Sequence, residues 1–277
     1  MIEFKYNWMH KDGTPIVRDE WITAYAEAVL ADYRPELLEE PGKIDGVDFI
    51  ENYLGANLEF QDIYYPEGGD AIVGAAIFND TRVKVFDRDR LTTKWIVAET
   101  GSILIDNQTM EEGREGFALF TQMHEAGHLL MHQGVFKMTQ PVAARAIACR
   151  QSGIGSRKWR LETQEDFREH QADTFAAALT MPREPFLKLA REVMKEYDLG
   201  VDTDGIIALN TYQRYTPSYP RRRLFRALSE AFGVSRTAAE VQLWKYGLIM
   251  DKDEYERKQR KLQMKVVEQG GRLQNMA

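Results

Sequence analysis

Five consecutive residues near the middle of the chain have the types and spacing of a site that binds metal and transfers protons. His124 and His128 stand four positions apart, and Glu125 follows the first histidine directly. On an α-helix, positions i and i+4 share one face, so both imidazoles could bind a single zinc ion. Glu125 would then lie beside the metal, where it could take a proton from a bound water. The pattern therefore predicts hydrolytic chemistry, provided that a helix, a third ligand and a sheltered site accompany it.

The residues around this motif have the period of a helix. Apolar side chains recur every three or four positions over Phe117–Met131. Four of the five histidines lie in the segment 124–170, which argues against the alternative that the pair are ordinary core or surface histidines. Gly127 costs about 1 kcal/mol inside a helix. We therefore expect another backbone, such as a strand, to pack closely against it.

A catalytic zinc site needs a third protein ligand and one open position. His132 is the nearest candidate, but ligands at i, i+4 and i+8 spread over about 12 Å of helix axis and cannot converge on one ion. A longer zinc motif with a histidine at position 134 is also excluded, because the sequence has Gly134 there. We expect His132 to end the helix or to support a ligand.

A second predicted helix, downstream, offers a carboxylate. Residues 163–166 resemble a capping box, and an apolar helical face follows them. Glu169 could bind the metal, and Asp173 could orient a ligand imidazole by accepting its other N–H. Glu165 lies one turn too early and His170 points about 100° away, so both are weaker candidates. The alternative for Glu169 is a solvated surface carboxylate.

Two stretches together resemble the ImmA/IrrE family of metallopeptidases. They are Arg114–His132 and Glu169–Pro182, and the second is similar to the family pattern E-x-x-A-N/D-x-F-A-A-x-L-x-M-P. By position, the resemblance assigns zinc to His124, His128 and Glu169, and the base to Glu125. It also implies a thermolysin-like (gluzincin) core and, in several members, cleavage of a helix-turn-helix repressor encoded nearby. The match covers about residues 20–250, although the connection 133–165 is longer than the family pattern needs.

The chain as a whole predicts an α+β fold. We expect a zincin-like peptidase core with a small antiparallel or mixed sheet and zinc-bearing helices, followed by a helical region. Residues 2–8 alternate like a short strand, helices are predicted near 21–33 and 45–55, and strand-like runs occupy 57–60, 71–78, 82–87, 95–98 and 102–106. We divide the chain into a metallopeptidase domain (1–183), a helical helix-turn-helix-like region (184–250) and a charged tail (251–277).

The predicted helices on either side of the turn Gly233–Ser235 suggest a second function, DNA binding. Basic residues accompany them: Arg221, Arg222, Arg223, Arg226, Arg236 and Lys245. A similar pair packs as part of the fold in the family that the chain resembles, and a net charge of −7 argues against a general nucleic-acid binder. We therefore do not expect direct DNA binding. A third interpretation is a toxin–antitoxin component that binds a partner, but such a scaffold has no need of Glu125.

Composition points to a cytoplasmic protein, and the family resemblance implies that its substrate is a protein. The single cysteine, Cys149, excludes an internal disulfide framework and suits a reducing compartment. Its thiolate could cap a zinc ion, although an ordinary small thiol is the favoured interpretation. The first residues lack the apolar core of a signal peptide, and no apolar run is long enough for a membrane span. The oxyanion partner stays open among His132, His170, Arg114 and several tyrosines.

Overall fold

The structure is a computed structural model that describes residues 2–138, 146–150, 161–202, 205–261 and 264. For residues 136–138 and 146–150 it describes the backbone alone. The fold is mixed α+β, as the sequence predicts.

Helices and strands alternate irregularly along the chain. The helices are α1 Asp19–Tyr33, α2 Gly46–Asp48, α3 Glu115–Met131, α4 Gln133–Met138, α5 Gln164–Thr180, α6 Arg183–Glu196, α7 Thr211–Tyr215, α8 Tyr219–Phe232 and α9 Arg236–Lys245. The strands are β1 Leu58–Gln61, β2 Ile72–Ile77, β3 Thr81–Asp87, β4 Thr92–Ala98, β5 Ile103–Asp106, β6 Ala146–Arg150, β7 Ile207–Leu209 and β8 Ile249–Asp251. Shorter turns of 3₁₀ or π type cover Pro35–Leu38, Phe49–Tyr53 and Asn107–Met110, and residues 252–261 are helical.

A four-stranded sheet with the order β1-β5-β2-β6 supports the centre of the molecule. β1 runs parallel to β5, whereas β2 runs antiparallel to both β5 and β6. Side chains alternate between the two faces of a strand. Gly74 and Ala76 on β2 therefore face α3, while Ala75 and Ile77 pack under the separate β3–β4 hairpin. The sheet is thus sandwiched between α3 and the hairpin.

Residues 2–8 do not form the predicted strand. The nearest strand-type pairing in the described backbone is an isolated bridge between Met9 and Pro15, just after this segment. Side chains of α1 hold the segment instead, since the Tyr25 hydroxyl donates to the Ile2 carbonyl and the Trp21 indole donates to the Lys5 carbonyl. Of the alternating apolar residues, Phe4 packs against Tyr25 of α1 and Tyr6 is partly buried, whereas Ile2 and Trp8 are exposed.

A continuous cluster of buried apolar side chains connects α1, α3, α5 and α6 with α8 and α9. α8 ends at Gly233, whose φ of +67° is left-handed, and the Ser235 side chain then caps α9 by accepting from the Ala238 amide. A Cβ at Gly116 would lie 2.4 Å from the Val234 carbonyl carbon. The start of α3 therefore packs directly on the α8–α9 turn. Within the described residues, no helix is both long and apolar enough to span a bilayer.

Candidate metal centre

Helix α3 carries the histidine pair through the centre of the molecule. Its residues from Phe120 to Leu129 are all buried, because the sheet covers one side of the helix and α5 covers the other. Gly127 marks the closest approach of α5, since a Cβ there would lie 3.0 Å from Phe175 Cδ1 and 3.5 Å from Ala172 Cα. The expected close backbone is thus present, and it belongs to a helix rather than a strand. This contact brings the metal-facing sides of α3 and α5 together.

Helix α5 is fixed at its first turns, just before the residue that faces the histidine pair. The Thr163 side chain accepts from the Asp166 amide, and the Asp166 side chain accepts from the Thr163 amide, which completes the predicted capping box. Arg168 donates to Asp12 and Thr14 in the loop before α1. Glu169, the next residue, therefore projects toward α3 from a helix held at its first turns.

The structure brings His124, His128 and Glu169 together around one point. The two Nε2 atoms of the histidines are 3.0 Å apart, and the Glu169 oxygens lie 3.3 Å from His124 Nε2 and 3.4 Å from His128 Nε2. Ligands about 2.1 Å from a tetrahedral zinc ion stand about 3.4 Å from one another. The three separations therefore fit three corners of such a tetrahedron.

Each histidine has a partner at its other ring nitrogen. His124 Nδ1 lies 2.9 Å from Asp173 Oδ1, and a carboxylate can only accept from an imidazole N–H. His128 Nδ1 lies 2.9 Å from Nδ1 of His132, the residue that ends α3. When Nδ1 carries the hydrogen, Nε2 keeps its lone pair. Two lone pairs and a carboxylate then face one another, an arrangement that a cation would stabilise.

The Glu125 carboxylate lies beside this group, against the sheet. A Cβ at Gly74 of β2 would lie 2.5 Å from Glu125 Oε1, so only glycine leaves room for the carboxylate. Both oxygens of Glu125 are buried without a hydrogen-bond partner among the described residues. An unpaired buried carboxylate is costly. Its position is suited to an incoming polar group, such as a water or a peptide N–H.

Burial and neighbouring charge set the proton affinities of the site. Burial raises the pKa of Glu125 to about 8, the nearby His124 opposes the rise and Glu169 adds to it. Burial also opposes ionisation of Glu169, but its interactions with the neighbouring His124 and His128 rings outweigh burial and lower the pKa of Glu169. Burial lowers the pKa of His128 and, still further, that of His132. The site thus combines two imidazoles, His128 and His132, that burial keeps in the neutral form, an ionised Glu169, and a Glu125 carboxyl group whose pKa lies near neutral pH.

The competing candidates lie elsewhere. Glu165 is exposed in the first turn of α5, and His170 Nε2 lies 2.9 Å from Asp19 of α1. Arg114 donates to the Gln108 carbonyl, and His132 lies on the side of His128 opposite to the metal group. None of these contacts identifies an oxyanion partner. Cys149 pairs with Gly74 in the β2–β6 ladder, but its side chain lies outside the described part.

Two residues of the site escaped sequence reasoning. Gly74 interrupts an apolar strand, and an isolated strand glycine is a known sign of close approach by another group. Gln171 is buried, and its Oε1 lies 2.9 Å from His132 Nε2. Its position in the sequence, between Glu169 and Asp173, gives no indication of this contact. Each acts on a residue that is distant in sequence: Gly74 leaves room for Glu125, and Gln171 contacts His132.

A family model described as the IrrE N-terminal-like domain, Peptidase_M78, matches residues 77–243, which is more than half of the chain. The chain belongs to the Peptidase_M78 family. The matched range is narrower than the expected 20–250, yet it contains α3, α5 and the whole of the His124, His128 and Glu169 group. A comparison with curated proteins finds no match. Membership in Peptidase_M78 indicates a metallopeptidase and therefore a protein or peptide substrate.

Proposed function

We propose that the chain is a zinc-dependent endopeptidase whose metal is held by His124, His128 and Glu169. The observation that carries this proposal is the set of separations of 3.0, 3.3 and 3.4 Å between their ligand atoms. Nitrogen and carboxylate ligands suit zinc, and three of them leave the fourth position open for catalysis. A zinc ion there would lower the pKa of a bound water and polarise the scissile carbonyl.

Glu125 is the proposed general base. Its buried carboxylate accepts a proton from the attacking water and later donates that proton to the leaving amine nitrogen. A pKa raised to about 8 by burial gives Glu125 a high proton affinity, and a nearby divalent cation would bring the pKa down toward neutrality. A group that must both accept and donate one proton works best when its pKa lies near the working pH.

Asp173 is the proposed support of His124. Its carboxylate accepts the Nδ1–H of the ring, which fixes the tautomer and makes Nε2 a stronger donor to the metal. Its side chain is 14% exposed. This exposure is low enough for the hydrogen bond to be little weakened by water.

We also propose a zincin-like arrangement for residues 1–183, a helical helix-turn-helix-like region at 184–250 and a charged tail at 251–277. The zincin-like arrangement is supported by the sheet against one side of α3 and by α5, which carries Glu169, on the other side.

For α8 and α9, packing as part of the fold is favoured over DNA contact. Leu224, Leu228, Phe232, Ala239 and Leu243 are buried in the same apolar cluster as residues of α3, which leaves few side chains of α9 exposed.

The proposed substrate is a helix-turn-helix repressor, and the family resemblance supports this choice. A single cysteine in the sequence supports a cytoplasmic location.

The test is incubation of the zinc-loaded protein with the helix-turn-helix protein encoded by a neighbouring gene, followed by mass spectrometry of the products. We expect one or a few defined cuts, which disappear with a chelator and with Glu125→Gln. Cleavage that continues in Glu125→Gln would contradict the role of Glu125.

A further inference from the structure

A row of hydrogen bonds runs from His128 to the loop before α1. His128 Nδ1 lies 2.9 Å from His132 Nδ1, and His132 Nε2 lies 2.9 Å from Gln171 Oε1. Gln171 Nε2 then donates to the Pro15 carbonyl oxygen at 2.8 Å. Both histidines are fully buried and Gln171 is nearly so, so bulk water has no access to these bonds.

The last acceptor fixes the direction of the two bonds that Gln171 makes. The Pro15 carbonyl oxygen can only accept, so Gln171 presents its NH₂ to Pro15 and its carbonyl oxygen to His132. The reversed amide would place two oxygens 2.8 Å apart. His132 must therefore carry its hydrogen on Nε2. A neutral His132 then has a lone pair on Nδ1, which accepts the Nδ1–H of His128.

We propose that His132 and Gln171 are positioning residues, a neutral relay that fixes the tautomer of His128 so that its Nε2 lone pair faces the metal. This inference rests on the proposed function, because it takes His128 as a ligand. In the other tautomer, His128 would carry its hydrogen on Nε2, directed at the metal position, and could not bind.

The charge of the site explains why a neutral relay suits His128. His124 is supported by a carboxylate, Asp173, and two further carboxyl groups, Glu125 and Glu169, already lie at the site. Another carboxylate behind His128 would add repulsion in a buried region, where charges interact strongly. The relay orients the ring without adding charge, and it connects the ligand to a loop that Arg168 also holds.

The first test compares zinc affinities of the full-length protein by competition with a chromogenic chelator. His132→Phe keeps a ring but removes the acceptor, and we expect an affinity loss of about 10- to 100-fold. His132→Asn places an amide oxygen near the position of Nδ1, so it should restore most of the affinity. His170→Phe is the matched control. His170 also has a hydrogen-bond partner, but that partner is Asp19 and not a proposed zinc ligand, so this variant should bind zinc like the wild type. Wild-type affinity in His132→Phe would overturn the relay.

The second test needs no variant of the relay. Long-range ¹H–¹⁵N NMR spectra of the ¹⁵N-labelled wild type report which ring nitrogens carry hydrogen. The relay predicts hydrogen on Nε2 of His132 with and without zinc, and on Nδ1 of His128 in the zinc-loaded protein. Hydrogen on Nδ1 of His132 would overturn it, even if His132→Phe failed to fold. Unchanged zinc affinity in His124→Ala would instead refute the proposed metal site, so the two failures are distinguishable.

Discussion

Replacement of Gly74 by alanine tests whether the sheet positions the general base. An added Cβ would lie 2.5 Å from Glu125 Oε1, 2.9 Å from its Cγ and 3.0 Å from its Cδ. The backbone of β2 is paired on both sides at this position, with Ile105 of β5 and Cys149 of β6. The strand is therefore held in place, and the Glu125 side chain has to move.

The size of that movement sets the expected effect. Ordinary van der Waals contact begins at 3.4 Å, so Oε1 has to shift by roughly 1 Å. A catalytic group misplaced by about 1 Å can cost roughly 100-fold in rate, or about 2.7 kcal/mol in activation free energy. The three atoms nearest to the added methyl group all belong to Glu125, which is not one of the proposed metal ligands. We therefore expect kcat to fall about 100-fold while zinc affinity stays near the wild-type value.

The assay is the initial rate of substrate cleavage by zinc-saturated protein, with zinc affinity measured in parallel. Ala75→Val is the matched control, because Ala75 lies on the same strand but faces the hairpin. Gly74→Ala should add no further loss in a Glu125→Gln background, since the group it displaces no longer acts as a base. Wild-type cleavage by Gly74→Ala, or an equal loss of zinc affinity, would refute the reasoning.

Three further predictions concern the metal, the packing and the pH response. Glu169→Ala should lower zinc affinity by at least about 10-fold in a chelator competition, whereas Glu165→Ala, exposed in the same helix, should not change it. Gly116→Ala should lower the free energy of unfolding in urea by about 1–3 kcal/mol, because its Cβ would meet the backbone of the α8–α9 turn; an unchanged urea midpoint would contradict that contact. In the metal-free protein, the raised pKa of Glu125 gives stability that is fully present below pH 4.5 and is lost as the pH rises to about 8. Metal-free Glu125→Gln should lack this loss in denaturation curves between pH 6 and pH 8, and a parallel pH response in both proteins would exclude a buried, protonated Glu125.

The local elements of this fold were predictable because their signals lie within a few residues. Thr163 and Ser235 cap helices where the sequence places them, and α1 ends at Tyr33, just before Pro35. The strand-like runs correspond to β1–β5 within a few residues. A cap or an apolar period depends on neighbours one turn away, so one stretch of sequence contains all the information.

Contacts between distant segments could not be read in the same way. The sheet order β1-β5-β2-β6 brings β6 beside β2, and β7 pairs in parallel with β8 over about 40 intervening residues. The proximity of Gln171 to His132, and of Gly74 to Glu125, likewise depends on how α5 and β2 pack on α3. Spacing on a helix was enough to choose His124, His128 and Glu169 as ligand candidates. The sequence also suggested Asp173 as a support for a ligand imidazole, but the contacts of Gln171 with His132 and of Gly74 with Glu125 required the three-dimensional arrangement.

Anomalous diffraction at the zinc absorption edge, from crystals of the zinc-loaded protein, tests the central claim most directly. We predict one zinc ion bound by Nε2 of His124, Nε2 of His128 and a carboxylate oxygen of Glu169, at about 2.0–2.2 Å, with the fourth position open to water. Zinc bound elsewhere in the chain, or a fourth protein ligand that closes the site, would contradict the account.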